Sequence, residues 1–261
     1  MESIYLKKFL ENVGYAIHAL NTICVGLNNI AAGDVEKPDD LVITWKPKDL
    51  KNSSLISRAF AIKSTYVFLA EATYEYMNYV KHTFISESNL EEYNELQNSE
   101  KVEKVFSVVS LENKYRLVMM KLLVHTRNRI VHNRSKADLS SRERDILKES
   151  KDIIYTNHSN LIVDDLLLHF DKNEFTLKDV SSHTANTIFM LREIDKLFIQ
   201  KISSKKVIID LINEYSVLDE WEKILTLEKS ESKTKKIRHF LKLYFSFVDI
   251  EVLEQLSKEF A

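Results

Sequence analysis

The fold is decided by residues 55–84, LISRAFAIKSTYVFLAEATYEYMNYVKHTF. This stretch contains neither glycine nor proline, and its large apolar side chains fall on nearly every side of a helix with 3.6 residues per turn. These side chains are Phe60, Ile62, Tyr66, Phe68, Leu69, Tyr74 and Met77. A helix that is apolar all round must be covered by other elements, so the pattern predicts the middle helix of a bundle.

Helical spacing of apolar residues continues on both sides of this segment. It predicts a first helix over about 3–29, and one long helix or two helices broken near Leu111 between about 102 and 130. It also predicts helices at about 142–155, 160–170, 177–202, 205–215, 217–230, 233–247 and 250–260.

Local signals place the boundaries of several helices. Ser140 and Glu143 form an S-x-x-E capping box, which predicts a helix start after a break near residues 135–140. Ser216 and Asp249 are predicted N-caps. The connection over 33–54 holds both prolines and the segment LVITW around Trp45, where a short strand is an alternative to a loop.

The composition supports an all-α fold class. The chain has 3 glycines and 2 prolines among 261 residues, where average usage of about 12% predicts roughly 30. β-Sandwiches, β-barrels and Rossmann folds need glycine in tight turns and phosphate loops. The sequence therefore predicts an all-α bundle with additional C-terminal helices.

Cysteine and apolar runs indicate the compartment. Cys24 is the single cysteine, which excludes an intramolecular disulfide and a thiolate zinc cluster and is typical of a reducing cytoplasm. No uncharged run approaches the roughly 20 apolar residues that span a bilayer, and the amino terminus lacks the layout of a signal peptide. We expect a cytoplasmic protein with no membrane partner.

Positive charge is concentrated in one interval. The net charge of the chain is −2, yet residues 114–148 carry ten basic and three acidic side chains, an excess of +7. This excess suggests a surface for an anionic partner such as RNA, although solvated helix faces also carry uneven charge.

The densest chemistry lies within that interval, in residues 125–135, HTRNRIVHNRS. Arginine binds phosphate oxygens bidentately, and imidazole exchanges a proton near neutral pH. Together they supply what RNA cleavage without a metal needs: a base for the ribose 2′-hydroxyl, an acid for the leaving 5′-oxygen and positive charge on the phosphorane. The competing interpretation is that these bases merely cap the end of a helix.

The spacing of Arg127 and His132 predicts a need for two chains. Five residues correspond to about 140° around an ideal helix, so we expect the two side chains to diverge. A two-fold dimer brings two copies of each to one cleft, which predicts an active homodimer and an inactive monomer.

The run R-N-x-x-x-H at residues 127–132 resembles the R-x(4–6)-H signature of the HEPN superfamily. The resemblance implies a HEPN-like bundle over residues 1–155, with a C-terminal helical extension over 156–261. It also implies a metal-independent endoribonuclease of toxin or antiviral-defence type, without a cofactor, that builds its site from two such domains. Some members only bind RNA or mediate dimerisation, and an antitoxin or defence-system partner controls others.

The resemblance assigns roles by position. Arg127 would orient and stabilise the scissile phosphate, His132 would transfer protons, and Asn128 would hold the motif or contact the substrate. Charge and position alone suggest that three further bases bind flanking RNA phosphates: Arg129, Arg134 and Lys136.

Other candidates are weaker. Glu71 is either a partner of Arg127 or a residue at a helix edge, and is left outside the predicted site. The eight histidines show no H-x-x-x-H or H-x-H pair, so no metal site is predicted. The alternative function is a non-catalytic helical module that binds RNA or an acidic protein through residues 114–148.

Overall fold

The computed structural model describes residues 2–35, 38, 45–109, 111–132, 134–201, 205–214, 217–228, 230–245, 248 and 250–261. Within these ranges the chain is all-α and contains no strand, as predicted. The described helices are α1 (Ile4–Ala32), α2 (Leu50–Phe84), α3 (Glu87–Glu95), α4 (Asn98–Phe106), α5 (Tyr115–Val131), α6 (Ser141–Glu149), α7 (Lys151–Asn157), α8 (Val163–Lys172), α9 (Leu177–Lys201), α10 (Lys205–Glu214), α11 (Leu218–Leu225), α12 (Glu231–Tyr244) and α13 (Ile250–Phe260).

The helix starts follow local capping chemistry. The Ser140 hydroxyl accepts the Glu143 amide, and the Glu143 carboxylate accepts the Ser140 amide at 2.7 Å, which confirms the predicted capping box. Helix α2 begins five residues earlier than predicted because the Asp49 carboxylate accepts the amide of Asn52.

Two predicted helices are each divided. The apolar run between 102 and 130 forms α4 and α5, separated by residues 107–114, and the helix predicted at 142–155 forms α6 and α7, which meet at Ser150. Residues 41–44 of the LVITW segment and the predicted caps Ser216 and Asp249 lie outside the described residues.

Contacts divide the chain into two compact units. The larger contains residues 9–75 and 97–190, and the smaller contains residues 1–8, 76–96 and 191–261. This division does not test the predicted domains, so the boundary between a HEPN-like bundle over residues 1–155 and an extension over 156–261 stays a prediction. None of the described helices is long and apolar enough to cross a membrane.

The larger unit is built around α5. Its apolar side chains are buried on several sides, and it packs against α4 and α6. Helix α2 contributes Tyr66 and Leu69 to the same unit, both fully buried. However, the prediction that α2 is covered all round is wrong, because Phe60 and Phe68 are exposed.

The smaller unit has an aromatic core and a buried carboxylate. Trp221 packs against Phe240 and Phe260, with ring centroids 5.1 and 4.8 Å away. Asp195 is buried and accepts the backbone amide of Ser3 at 2.8 Å and the hydroxyl of Tyr76 at 3.1 Å. These bonds satisfy a charge that would otherwise be costly to bury.

Candidate functional site

The candidate site forms where α5 ends. His132 is the C-cap of α5, and its backbone is extended, with φ −116° and ψ 100°. Its amide still donates to the carbonyl of Asn128 at 2.9 Å, so the turn closes before the chain leaves the helix. The side chain of His132 therefore does not follow helical geometry.

Arg127 and His132 consequently meet within one chain. Nη1 of Arg127 lies 3.4 Å from Nε2 of His132, and the imidazole is exposed. The expectation that these side chains diverge is wrong, because the 140° separation applies only if both residues are helical. The geometric reason for requiring a second chain is thereby removed, and the homodimer stays a prediction.

Glu71 of α2 fixes the guanidinium of Arg127 from the other side. Its Oε1 accepts Nε at 2.8 Å and lies 2.6 Å from Nη2. The Arg127 side chain is 20% exposed and the Glu71 side chain 50%. Of the two alternatives that the sequence offers for Glu71, the structure shows the one in which Glu71 is the partner of Arg127.

The two edges of the Arg127 guanidinium differ in how firmly they are held. Nη1 contacts Asn128 Oδ1 at 3.3 Å and His132 Nε2 at 3.4 Å, both longer than the usual N–H to oxygen distance of about 2.9 Å. The short bonds to Glu71 orient the group, whereas Nη1 can exchange its long contacts for an anion. The arrangement can bind a phosphate oxygen beside an imidazole.

Tyr74 lies one turn after Glu71 on α2 and shares its electrostatic surroundings. Burial raises the pKa of Tyr74 to about 12; Arg127 opposes this shift, and Glu71 adds to it. The hydroxyl therefore stays protonated at neutral pH. Sequence reasoning assigned this ring to the core, because tyrosine at helical spacing carries no signal that distinguishes a core position from the edge of a site.

Arg129, two residues after Arg127, faces a different environment. Its Nε donates to the carbonyl of Ala137 at 2.7 Å, and its Nη1 donates to the carbonyl of Phe170 at 2.9 Å. Nη2 lies 3.4 Å from Asp138, and the guanidinium carbon lies 3.8 Å from the centroid of the Phe170 ring. Arg129 thus ties the connection after α5 to α8, and its predicted contact with RNA stays a prediction.

The remaining bases of the interval 114–148 divide into paired and exposed groups. Lys121 pairs with Glu103 and Glu143, and Arg144 pairs with Asp138 and Asp171. Counting the pairing acids from outside the interval, Glu71, Glu103 and Asp171, lowers the local excess from +7 to +4.

Arg134 and Lys136, the other predicted RNA contacts, are exposed in the connection between α5 and α6. Further exposed bases of the interval are Lys114, Arg142 and Lys148. These side chains carry the positive charge that the ion pairs leave open to solvent.

His125 is not brought to Arg127 and His132. Burial lowers the pKa of His125, and the charges acting on it come from Glu143, Lys121, Asp138 and Arg129. These residues lie on α5, on α6 and in the connection between the two helices, and neither Arg127 nor His132 is among them, so His125 stands apart from that pair.

No metal centre is built from the described residues, among which no group of three or more histidine, cysteine, aspartate or glutamate side chains could hold an ion. The chain matches no family model, no curated protein and no solved structure.

Proposed function

We propose that the chain is a metal-independent endoribonuclease of HEPN type whose site contains Arg127, Asn128 and His132. The observation that carries the proposal is the contact between Arg127 Nη1 and His132 Nε2, which lie 3.4 Å apart at the end of α5 and are open to solvent. A phosphate-binding cation beside a proton-transfer group is the minimum that cleavage of RNA without a metal requires.

Each residue has a separate role in the proposed reaction. His132 Nε2 takes the proton of the ribose 2′-hydroxyl while the 2′-oxygen attacks phosphorus. Arg127 stabilises the negative charge on the phosphorane through Nη1, and Glu71 keeps the guanidinium oriented through Nε and Nη2. The bond to the 5′-oxygen then breaks, and the leaving oxygen takes the proton back from the His132 imidazolium, leaving a 2′,3′-cyclic phosphate and a 5′-hydroxyl.

The resemblance adds the setting of this reaction. It suggests a HEPN-like bundle, a homodimer, a cytoplasmic toxin or antiviral-defence role, and control by an antitoxin or another defence-system protein. Arg134 and Lys136 are exposed and follow His132 closely in the sequence, and we propose that they bind the phosphates on either side of the cleaved bond.

The test is incubation of purified wild type and His132→Ala with total RNA in excess chelator. We expect chelator-resistant cleavage by wild type, with cyclic phosphate ends, and loss of that cleavage in His132→Ala. His18→Ala is the matched control, because His18 is an exposed histidine of α1 that the proposed reaction does not use.

The alternative is a non-catalytic module that binds RNA or an acidic protein through the exposed bases of residues 114–148. It predicts RNA binding without cleavage by wild type. The affinity should fall with salt with a slope of about 0.7 per phosphate contact on single strands. Replacing Arg134 and Lys136 together with alanine should lower that slope under either function.

A further inference from the structure

An apolar groove of about 640 Å³ lies between α1 and α2 in the larger unit. Tyr15 and Ile23 of α1 and Ile56, Phe60 and Phe68 of α2 form its walls, and Leu20 lies in its lining. Tyr15 is 76% exposed and Phe60 is 73% exposed. None of the lining residues carries a charge. Exposed apolar surface of this extent marks an interaction site.

The groove carries both projections and hollows. Tyr15 and Phe60 project from it, whereas Ala16, Ala19, Ser57 and Ser64 are small residues of the same lining. A two-fold interface requires a surface that complements itself, so that the projections of one chain enter the hollows of the other. An uncharged lining also lets two identical surfaces meet without repulsion.

The area is sufficient for such a contact. Covering the exposed parts of Tyr15, Ile23, Ile56, Phe60 and Phe68 would remove roughly 600 Å² per chain, taking aromatic side chains at about 200 Å² each, against about 800 Å² per partner in a standard interface. A standard interface needs only about 200 Å² more per chain from residues around the groove.

The groove is continuous with the candidate site. Phe60, Ser64, Phe68 and Glu71 are all exposed, and their spacings of four, four and three residues place them on one face of α2. Glu71 is the residue that holds Arg127. Arg58 of α2 donates to Asn28 of α1, and Lys8 near the start of α1 donates to Tyr79 near the end of α2, so the two helices run antiparallel and Tyr15 lies towards the Phe68 end. A molecule seated along this face therefore ends beside the Arg127 site.

We infer that this groove is the homodimer interface, occupied by α1 and α2 of a second copy of the chain, and that the partner covers the Glu71 edge of the Arg127 site. The interface stands on the groove alone. Its consequence for cleavage rests on the proposed function.

The test measures the mass of the full chain by light scattering at micromolar concentration. Wild type should have the mass of two chains. Phe60→Glu should weaken association about 10²- to 10⁴-fold, because a two-fold dimer loses the burial of two Phe60 side chains, and should shift the chain towards monomer. Ser64→Arg places a large charged side chain in one of the hollows and should also weaken association. Leu243→Glu is the control, since Leu243 is a comparably exposed apolar residue outside the groove.

Two further readings separate this inference from the proposed function. Because association stabilises the folded chain, the melting temperature of wild type should rise with protein concentration, and that of Phe60→Glu should not. Because the partner covers the Glu71 edge that orients Arg127, Phe60→Glu should also lower the rate of RNA cleavage, whereas His132→Ala should lose cleavage and remain a dimer. A wild-type monomer, or a Phe60→Glu chain that is as dimeric as wild type, overturns the inference whatever the activity. A groove-dependent dimer that cleaves no RNA leaves the interface standing and refutes the function.

Discussion

Two arginines separated by one residue on the last turns of α5 have opposite surroundings. Arg127 contacts a carboxylate, an amide and an imidazole, and its Nη1 contacts are long. Arg129 donates to two backbone carbonyls at 2.7 and 2.9 Å and lies over the ring of Phe170. Backbone carbonyls and an aromatic ring hold a cation in place, whereas an exposed imidazole offers proton transfer. The partners, and not the charge, therefore separate an arginine suited to chemistry from one suited to structure.

Arg127→Ala is expected to produce the largest effect on this comparison. Removing a donor to the developing phosphorane charge should lower the cleavage rate by about 10²- to 10³-fold. Because Glu71, the ion-pair partner of Arg127, is half exposed, the free energy of unfolding should change by no more than ~1 kcal/mol. Single-turnover cleavage and urea unfolding measure the two quantities. A loss of activity that is explained by unfolding alone would show that Arg127 has a structural role, as Arg129 does.

The histidines also differ in their surroundings, since His132 is exposed whereas His158 and His183 are buried. Burial, with a smaller contribution from the charge of Arg116, lowers the pKa of His158 to about 4. Burial, with a smaller contribution from the neighbouring His158, lowers the pKa of His183 to about 3. In the unfolded chain both titrate near 6.5, so the unfolded state binds more protons between about pH 6.5 and 4. Stability should therefore fall with decreasing pH in that window, by up to about 1.4 kcal/mol per pH unit for each histidine.

Urea unfolding at a series of pH values measures this loss. The carboxylates of Asp138 and Glu143, whose pKa values are lowered by partners that include Arg144 and Lys121, add a separate loss at lower pH. Constant stability from about pH 7 to pH 5 would contradict the burial of neutral His158 and His183.

Arg129→Ala tests the packed side directly. The substitution removes the Arg129 donor from the carbonyls of Ala137 and Phe170, of which Phe170 keeps the amide of Asn173, so we expect a loss of about 1–2 kcal/mol of stability. Activity per folded molecule should persist if the connection after α5 re-forms. Arg134→Ala is the matched control and should stay within about 0.5 kcal/mol of wild type, since Arg134 is exposed.

The outcome of sequence reasoning also differs between these two arginines. The R-N-x-x-x-H pattern led to Arg127, Asn128 and His132, because the pattern is local and its residues bear the chemistry. The role of Arg129 depends on Phe170, 41 residues away, which no local pattern indicates. The helices were largely predictable because glycine and proline are scarce, but the extended backbone of His132 was not, since neither residue type marks the end of α5.

Glu71→Gln is expected to have the smallest effect. The partly exposed pair with Arg127 contributes at most ~1 kcal/mol, so the cleavage rate should fall about five-fold while stability is nearly unchanged. Loss of orientation should appear in kcat more than in KM, because Nη1 remains available to bind phosphate. A rate equal to that of wild type would show that Glu71 does not position Arg127 for the reaction.

The central claim, that Arg127 and His132 cleave RNA through the 2′-hydroxyl, is tested most directly by one pair of substrates in chelator. One is an RNA oligonucleotide that wild type cleaves, and the other carries a single 2′-deoxyribose at the cleaved position. The account predicts a 2′,3′-cyclic phosphate and a 5′-hydroxyl from the first, no cleavage at the substituted position of the second, and neither product with His132→Ala. Cleavage at the deoxyribose, or by His132→Ala at the wild-type rate, would contradict it.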